Sequence, residues 1–196
     1  MTNEEALSLF KNCGAFLQGH FLLSSGLHSS GYLQCALVCQ DPVACAKLCD
    51  ALAGQFKRKK IDVVVGPAMG GIVFAYELAR ALGTRGIFTE RNGEGKMILR
   101  RGFTLTPGER VLVAEDVLTT GGSAAEILEI AKQAGAEVVG VAALVDRGGA
   151  KRFAPLPVAA AFKADVPTWK PEECPLCRQG VPVVKPGSRK DPGANR

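Results

Sequence analysis

The chain has no long hydrophobic run and no evident internal repeat, and it has no basic helix or docking patch. The first absence excludes a membrane-spanning helix, which needs ~20 consecutive apolar residues. The N-terminus is acidic and amphipathic, unlike a secretory signal, so a cytoplasmic protein with no membrane partner is expected. The missing basic patch argues against nucleic acid. The net charge of +5 does not reverse that, because Lys185, Arg189, Lys190 and Arg196 against Asp191 put +3 of it in a Pro- and Gly-rich tail.

A second metal-binding pair is also lacking. Of the seven cysteines, only Cys174-Pro175-Leu176-Cys177 has ligand spacing, and a closed structural zinc site takes four protein ligands. There is no other Cys-x-x-Cys and no His pair at ligand spacing. Cys174 and Cys177 are therefore a zinc candidate without half its ligands, unless a dimer mate supplies them. His20 and His28 read as turn or surface residues with no chemical role. Cys45 and Cys49 share a helical stripe with Leu52 and Phe56 and read as small core residues, as does Cys13 after Phe10. Cys35 and Cys39 fall on one face of an expected strand.

What is present is a chain of 196 residues, 47% hydrophobic, enough for one sizeable core. One domain over residues 1–184 is expected, with residues 185–196 as a flexible tail. Thr2 to Glu5 reads as a capping box opening an amphipathic helix. Residues 19–34 read as two short strands around a polar turn, and Asp41-Pro42 as the start of a helix. Strand and helix then alternate: 61–65, 71–82, 85–89, 111–114, 124–134 and 137–145. That order predicts an α/β fold with a mainly parallel sheet flanked by helices, whose ligands sit beyond the carboxyl ends of the strands.

Two Gly-rich turns fall at such ends. In the stretch from Val111 to Ser123, a buried strand leads to Glu115-Asp116, and Val117-Leu118-Thr119-Thr120-Gly121-Gly122-Ser123 then leads into a helix. Backbone amides of such a turn converge on an anion, with the helix dipole assisting, and paired acids suit a diol. A plainer reading makes Gly121-Gly122 only a tight turn and Thr119 or Thr120 only a cap. The second turn, Gly66-Pro67-Ala68-Met69-Gly70-Gly71, is also able to face an anion, or its glycines merely permit close packing. Between strands, residues 90–102 are polar and Gly-punctuated. In isolation they read as an exposed hairpin, and beside an anion site they read as a lid carrying Arg91 and Lys96.

Taken together, the acid pair followed by Thr-Thr-Gly-Gly resembles the phosphoribosyl-pyrophosphate (PRPP) motif of the type I phosphoribosyltransferases. The segment from Phe21 to Tyr32, together with Val145-Asp146-Arg147-Gly148, is similar to orotate phosphoribosyltransferases in particular, with a small N-terminal hood largely within residues 1–40. The resemblance covers nearly the whole chain. It implies that Ala68, Met69, Gly70 and Gly71 cradle the pyrophosphate of PRPP and that the run from Glu115 to Ser123 holds its ribose phosphate. Arg91, Lys96 and Asp116 would be the catalytic residues. Thr119 and Arg147 would contact orotate, with backbone of Tyr32 and Leu33 closing the base pocket.

The implied reaction transfers 5-phosphoribose from PRPP to orotate, giving orotidine 5′-phosphate and pyrophosphate in de novo pyrimidine synthesis. The implied cofactor is Mg2+, held mainly through PRPP and in part by Glu115 and Asp116, directly or through water. A homodimer whose lids reach the neighbouring site is implied too. The chain departs from the pattern in places: many relatives have an aromatic-Lys pair at Met69-Gly70, a Lys near Ser24 and a longer lid, and Glu115 replaces a more usual Asp. Two alternatives remain on the residues alone: a purine-base enzyme of the same fold, and a non-catalytic PRPP-binding regulator.

Overall fold

A computed structural model describes residues 1–23 and 25–186. The expected tail therefore lies largely outside the described residues, as does Ser24. In chain order the helices are α1 (Asn3–Asn12), α2 (Cys35–Cys39), α3 (Pro42–Gln55), α4 (Gly71–Leu82), α5 (Gly122–Gln133) and α6 (Pro175–Arg178). The strands are β1 (Phe16–Leu22), β2 (His28–Leu33), β3 (Val63–Pro67), β4 (Arg85–Arg91), β5 (Met97–Leu99), β6 (Arg110–Leu118), β7 (Glu137–Asp146), β8 (Val158–Lys163) and β9 (Thr168–Trp169).

Six strands form the main sheet in the order β5-β4-β3-β6-β7-β8, parallel except for β5. β3 is buried along its whole length, as a parallel strand covered on both faces should be. Its side chains divide between two cores. Val64 and Leu112 point to the side of α3 and α4, whereas Val63, Val65, Val111 and Val113 meet Ala124, Ile127 and Ala131 of α5. The helix starts follow local chemistry. Asp41 accepts from the amides of Val43 (2.9 Å) and Ala44 (3.1 Å) ahead of Pro42, and Thr2 with Glu5 forms the expected capping box.

A second, three-stranded sheet has the order β1-β2-β9. Its third strand comes from far along the chain, with His28 opposite Trp169 and Ser29 opposite Thr168. Val184 adds a further rung, accepting from the amide of Leu22 (2.9 Å) and donating to the carbonyl of His20 (2.8 Å).

Three local expectations are corrected. Residues 35–39 are helical rather than extended, because three-residue spacing lets Cys35 and Val38 enter the core together, which strand alternation would prevent. β6 does not stop at Ala114 but runs on to Leu118. Continued pairing with β7 (Glu115 opposite Ala143, Leu118 opposite Asp146) keeps it extended, so the acid pair lies within the strand. His20 and His28 are buried, at 3% and 7% exposure, because their rings face each other and the chain around Cys174 covers them.

Candidate active site

The two Gly-rich turns follow neighbouring strands, β3 and β6, and so open side by side at the same edge of the sheet. Their contact is close. A Cβ on Gly70 would lie 2.3 Å from Oδ2 of Asp116, so only glycine lets the first turn come this near the acid. Gly71 is buried against Pro67, while Met69 and Gly70 are exposed and Ala68 is half-buried. The Ala68–Met69 peptide is cis, and the amide of Ala68 is anchored on the carbonyl of Thr89 (2.7 Å).

After β6 the chain enters α5 through Gly121 at φ 70°, a left-handed residue at the cap position. Any side chain there would meet the Phe153 ring, as a Cβ would stand 2.6 Å from it. Neither Thr119 nor Thr120 caps the helix, and the Glu115 carboxyl takes the Ala124 amide of its first turn. The amides of Gly122 and Ser123 lie at the positive end of the helix dipole, where Thr119, Thr120 and Gly122 are exposed and Ser123 is half-buried. Leu118 is different: its side chain is core, and its carbonyl accepts from the Arg147 amide (2.8 Å).

Glu115 is 7% exposed, and burial first, then the neighbouring charge of Asp116, pushes its carboxyl up to about 8. Asp116 is raised as well, by burial, while the Val117 amide (2.9 Å) supports its ionised form. The Ala124 amide and the charge of Arg91 pull Glu115 the other way.

The hood meets this site through β2. Arg147 is half-buried and lies 3.5 Å from Oγ of Ser29, and burial lowers its affinity for its proton. A surface ion pair with Asp146 is not what occupies it. Asp146 instead accepts from the amides of Gly148 (2.9 Å) and Ala150 (3.2 Å). Tyr32 stands close enough to Asp116 and Arg147 to feel both charges: burial, then Asp116, raises its hydroxyl, and Arg147 opposes them. Leu33 is buried in the core.

Residues 92–96 form the tip of a β4–β5 hairpin, closed by Asn92, whose side chain accepts from the amides of Glu94 and Lys96 (both 3.0 Å). Arg91 bonds the Gly95 carbonyl and pairs with Glu126 of α5 (3.0 Å), and its charge is felt at Glu115. Lys96 is brought not to the acids but to Glu94 (3.0 Å), both largely exposed. Arg101 turns back onto Glu90 (2.8 Å), leaving Arg100 exposed. Sequence reasoning missed Ser29 and Glu126. Neither has a local signature, since each acts through a partner distant in the chain.

The phosphoribosyl transferase domain family matches residues 41–156, the part of the chain that holds the two adjacent Gly-rich turns, the buried acid pair and Arg147. An orotate phosphoribosyltransferase of Desulforamulus reducens is 53% identical over 97% of this chain and 99% of its own length. One from Caldicellulosiruptor bescii is also 53% identical, over 97% and 100%. Among solved structures, the orotate phosphoribosyltransferase of Aeropyrum pernix superposes with a TM-score of 0.65 at 28% identity, covering 80% of this chain and 92% of that one. The chain belongs to the orotate phosphoribosyltransferase family.

Proposed function

We propose that this chain transfers 5-phosphoribose from PRPP to orotate, and that the two turns, the acid pair and Arg147 are the parts that do it. The observation that carries the reading is the contact of Gly70 with Asp116, which joins a pyrophosphate cradle to a ribose site. The bond from the anomeric carbon to pyrophosphate breaks as the bond to the ring nitrogen of orotate forms. Positive charge grows on the ribose and negative charge on the leaving group. Such chemistry is governed by position and electrostatics. Asp116 and Glu115 would hold the ribose hydroxyls, the open amides from Thr119 to Ser123 the 5′-phosphate, and the backbone of Ala68 to Gly71 the pyrophosphate.

Arg147 fits the orotate carboxylate, because a guanidinium can donate two parallel hydrogen bonds and, among the described residues, no carboxylate already pairs with it. The same observation favours an anionic base over a purine. Tyr32 and Leu33 close the pocket, and Thr119 sits at the junction of sugar phosphate and base.

Magnesium suits the acid pair: two adjacent hard-oxygen donors match its usual share of one or two carboxylates, with substrate oxygens and water completing the shell. When bound, it would offset charge on the pyrophosphate. Arg91, already beside the acid pair, and Lys96, at an exposed hairpin tip, supply further cations as the hairpin closes. Met69, Val73 and Tyr76 form an exposed apolar stripe beside the cradle, which supports a homodimer with lids shared between subunits. A cytoplasmic location completes the reading.

Orotate absorbance should fall only when PRPP and magnesium are both present, and purine bases should not substitute. No turnover of orotate overturns the proposal. In confirmed heterodimers of Lys96→Ala and Asp116→Asn subunits, shared lids predict recovered activity, and none recovered rejects the sharing.

A further inference from the structure

The hood holds a second constellation, away from the acid pair and the Gly-rich turns. His20 on β1 and His28 on β2 are diagonal neighbours on one face of the hairpin, since Leu22 pairs with His28 and Phe21 with Ser29. Cys174, immediately before α6, and Cys177, within it, come to the same point from more than 140 residues along the chain. Nε2 of His20 lies 2.8 Å from Nδ1 of His28, 3.4 Å from Sγ of Cys174 and 3.8 Å from Sγ of Cys177. Sγ of Cys177 is 3.3 Å from Nδ1 of His28, and all four atoms lie within 4.8 Å of one another.

From these distances we infer that His20, His28, Cys174 and Cys177 form a structural zinc site that ties the hood to the C-terminal segment. Zn–N bonds of ~2.0 Å and Zn–S bonds of ~2.3 Å in a tetrahedron set edges of about 3.3 Å for N···N and about 3.5 Å for N···S. The observed N···S separations of 3.3, 3.4 and 3.8 Å straddle that edge, and the N···N separation of 2.8 Å must open by about 0.5 Å to admit the ion. The chemistry agrees, because two imidazoles and two thiolates are a borderline-soft set that selects zinc over magnesium or calcium.

The surroundings prepare the ligands. Nδ1 of His20 lies 2.7 Å from the carbonyl of Val181, which can only accept, so Nδ1 carries the proton and Nε2 turns its lone pair into the cluster. Three further atoms with lone pairs converge on that point. One cation bonds to all of them, whereas hydrogen bonding within the group needs each contact to find its own proton. Four protein ligands leave no open position, so the role is structural rather than catalytic.

The site also explains how the hood is fixed in place. His28 directly precedes Ser29, the residue that meets Arg147, and the Cys174–Val184 segment returns to pair with β1. On this inference Cys174 and Cys177 need no dimer mate to complete their ligand set. The other half comes from this same chain, and the eight-residue gap between the histidines hid it, because their proximity depends on the hairpin and its register.

The inference does not depend on the transferase reading, and its test needs no activity. Full-length protein purified without chelator or metal affinity resin should contain ~1 zinc per chain by elemental analysis. Cobalt(II) substituted for it should show intense visible bands and thiolate charge-transfer absorption of a tetrahedral site. The double variant Cys174→Ser/Cys177→Ser should lose at least ~90% of the metal, and Cys45→Ser should retain it. If the double variant does not fold, mercurial titration of the wild type keeps the test, with zinc released as two protected thiols react. Trace zinc with no uptake on reconstitution, a Cys174–Cys177 disulfide, resident iron, full zinc in the double variant, or zinc release that does not follow two thiols would overturn the site.

Discussion

The Gly-rich turns and the hood form two walls that meet where Arg147 approaches Ser29, but they are built differently. The first is made of contiguous segments laid on a sheet whose central strands are buried on both faces. Its precision comes from packing, as at Gly70, where no Cβ fits against Asp116. The hood sheet has three short strands, one of only two residues, and its closing contacts come from 140 to 160 residues away. A sheet of three strands, one of them so short, gains from a further tie. The comparison teaches that of two adjoining walls one can be set by a hydrophobic core and the other by polar contacts between segments distant in the chain.

Breaking the packed wall should have the largest effect. Asp116→Asn removes the charge that matches the developing ribose cation, and its kcat should fall by ~10²–10³ with circular dichroism unchanged. Gly70→Ala acts on the same acid sterically and should lower kcat/KM by roughly tenfold or more. Unchanged kinetics in both variants would remove Asp116 from the site. Where the two walls meet, Arg147→Ala should raise the KM for orotate by about 10–100-fold with little change in the KM for PRPP. Arg147→Lys should recover only part of it, because a point charge lacks the planar fork. Equal losses toward both substrates would place Arg147 outside the base pocket.

The same division explains what could be read from the chain. The parallel core was legible because its strands are continuous apolar runs and its helices carry local starts: Asp41-Pro42, Thr2 with Glu5, and Gly71 through Leu82 with the bounds expected. The PRPP-type turn is likewise local. What the sequence did not show depends on distant partners. Glu115 and Asp116 lie inside β6 because β7 extends the pairing, Arg91 is held by Glu126, and β9 joins β2. His20, His28, Cys174 and Cys177 meet only after the hairpin and the returning segment are in place.

Metal removal should separate the two walls. After zinc is stripped with a chelator, amide exchange in β1, β2 and β9 should quicken by roughly tenfold or more, while β3, β6 and β7 keep their protection. Uniform exchange across both sheets would mean that the hood and the core open as one unit.

A further effect within the packed wall concerns stability and pH rather than turnover. Glu115 has a folded value of about 8 against ~4.3 for an unperturbed glutamate. Between those values the folded chain keeps a proton that the unfolded chain has lost, so stability of the free protein falls as pH rises through this window. One proton allows a slope of at most ~1.4 kcal/mol per pH unit. Glu115→Gln removes that loss and should melt higher than the wild type near pH 8, with the two converging toward pH 5. The residual slope in the variant belongs to Asp116, whose shift has the same sign. Parallel melting curves across pH 5–8 would mean that Glu115 is ionised throughout, and its burial beside Asp116 would then need a resident cation to balance it.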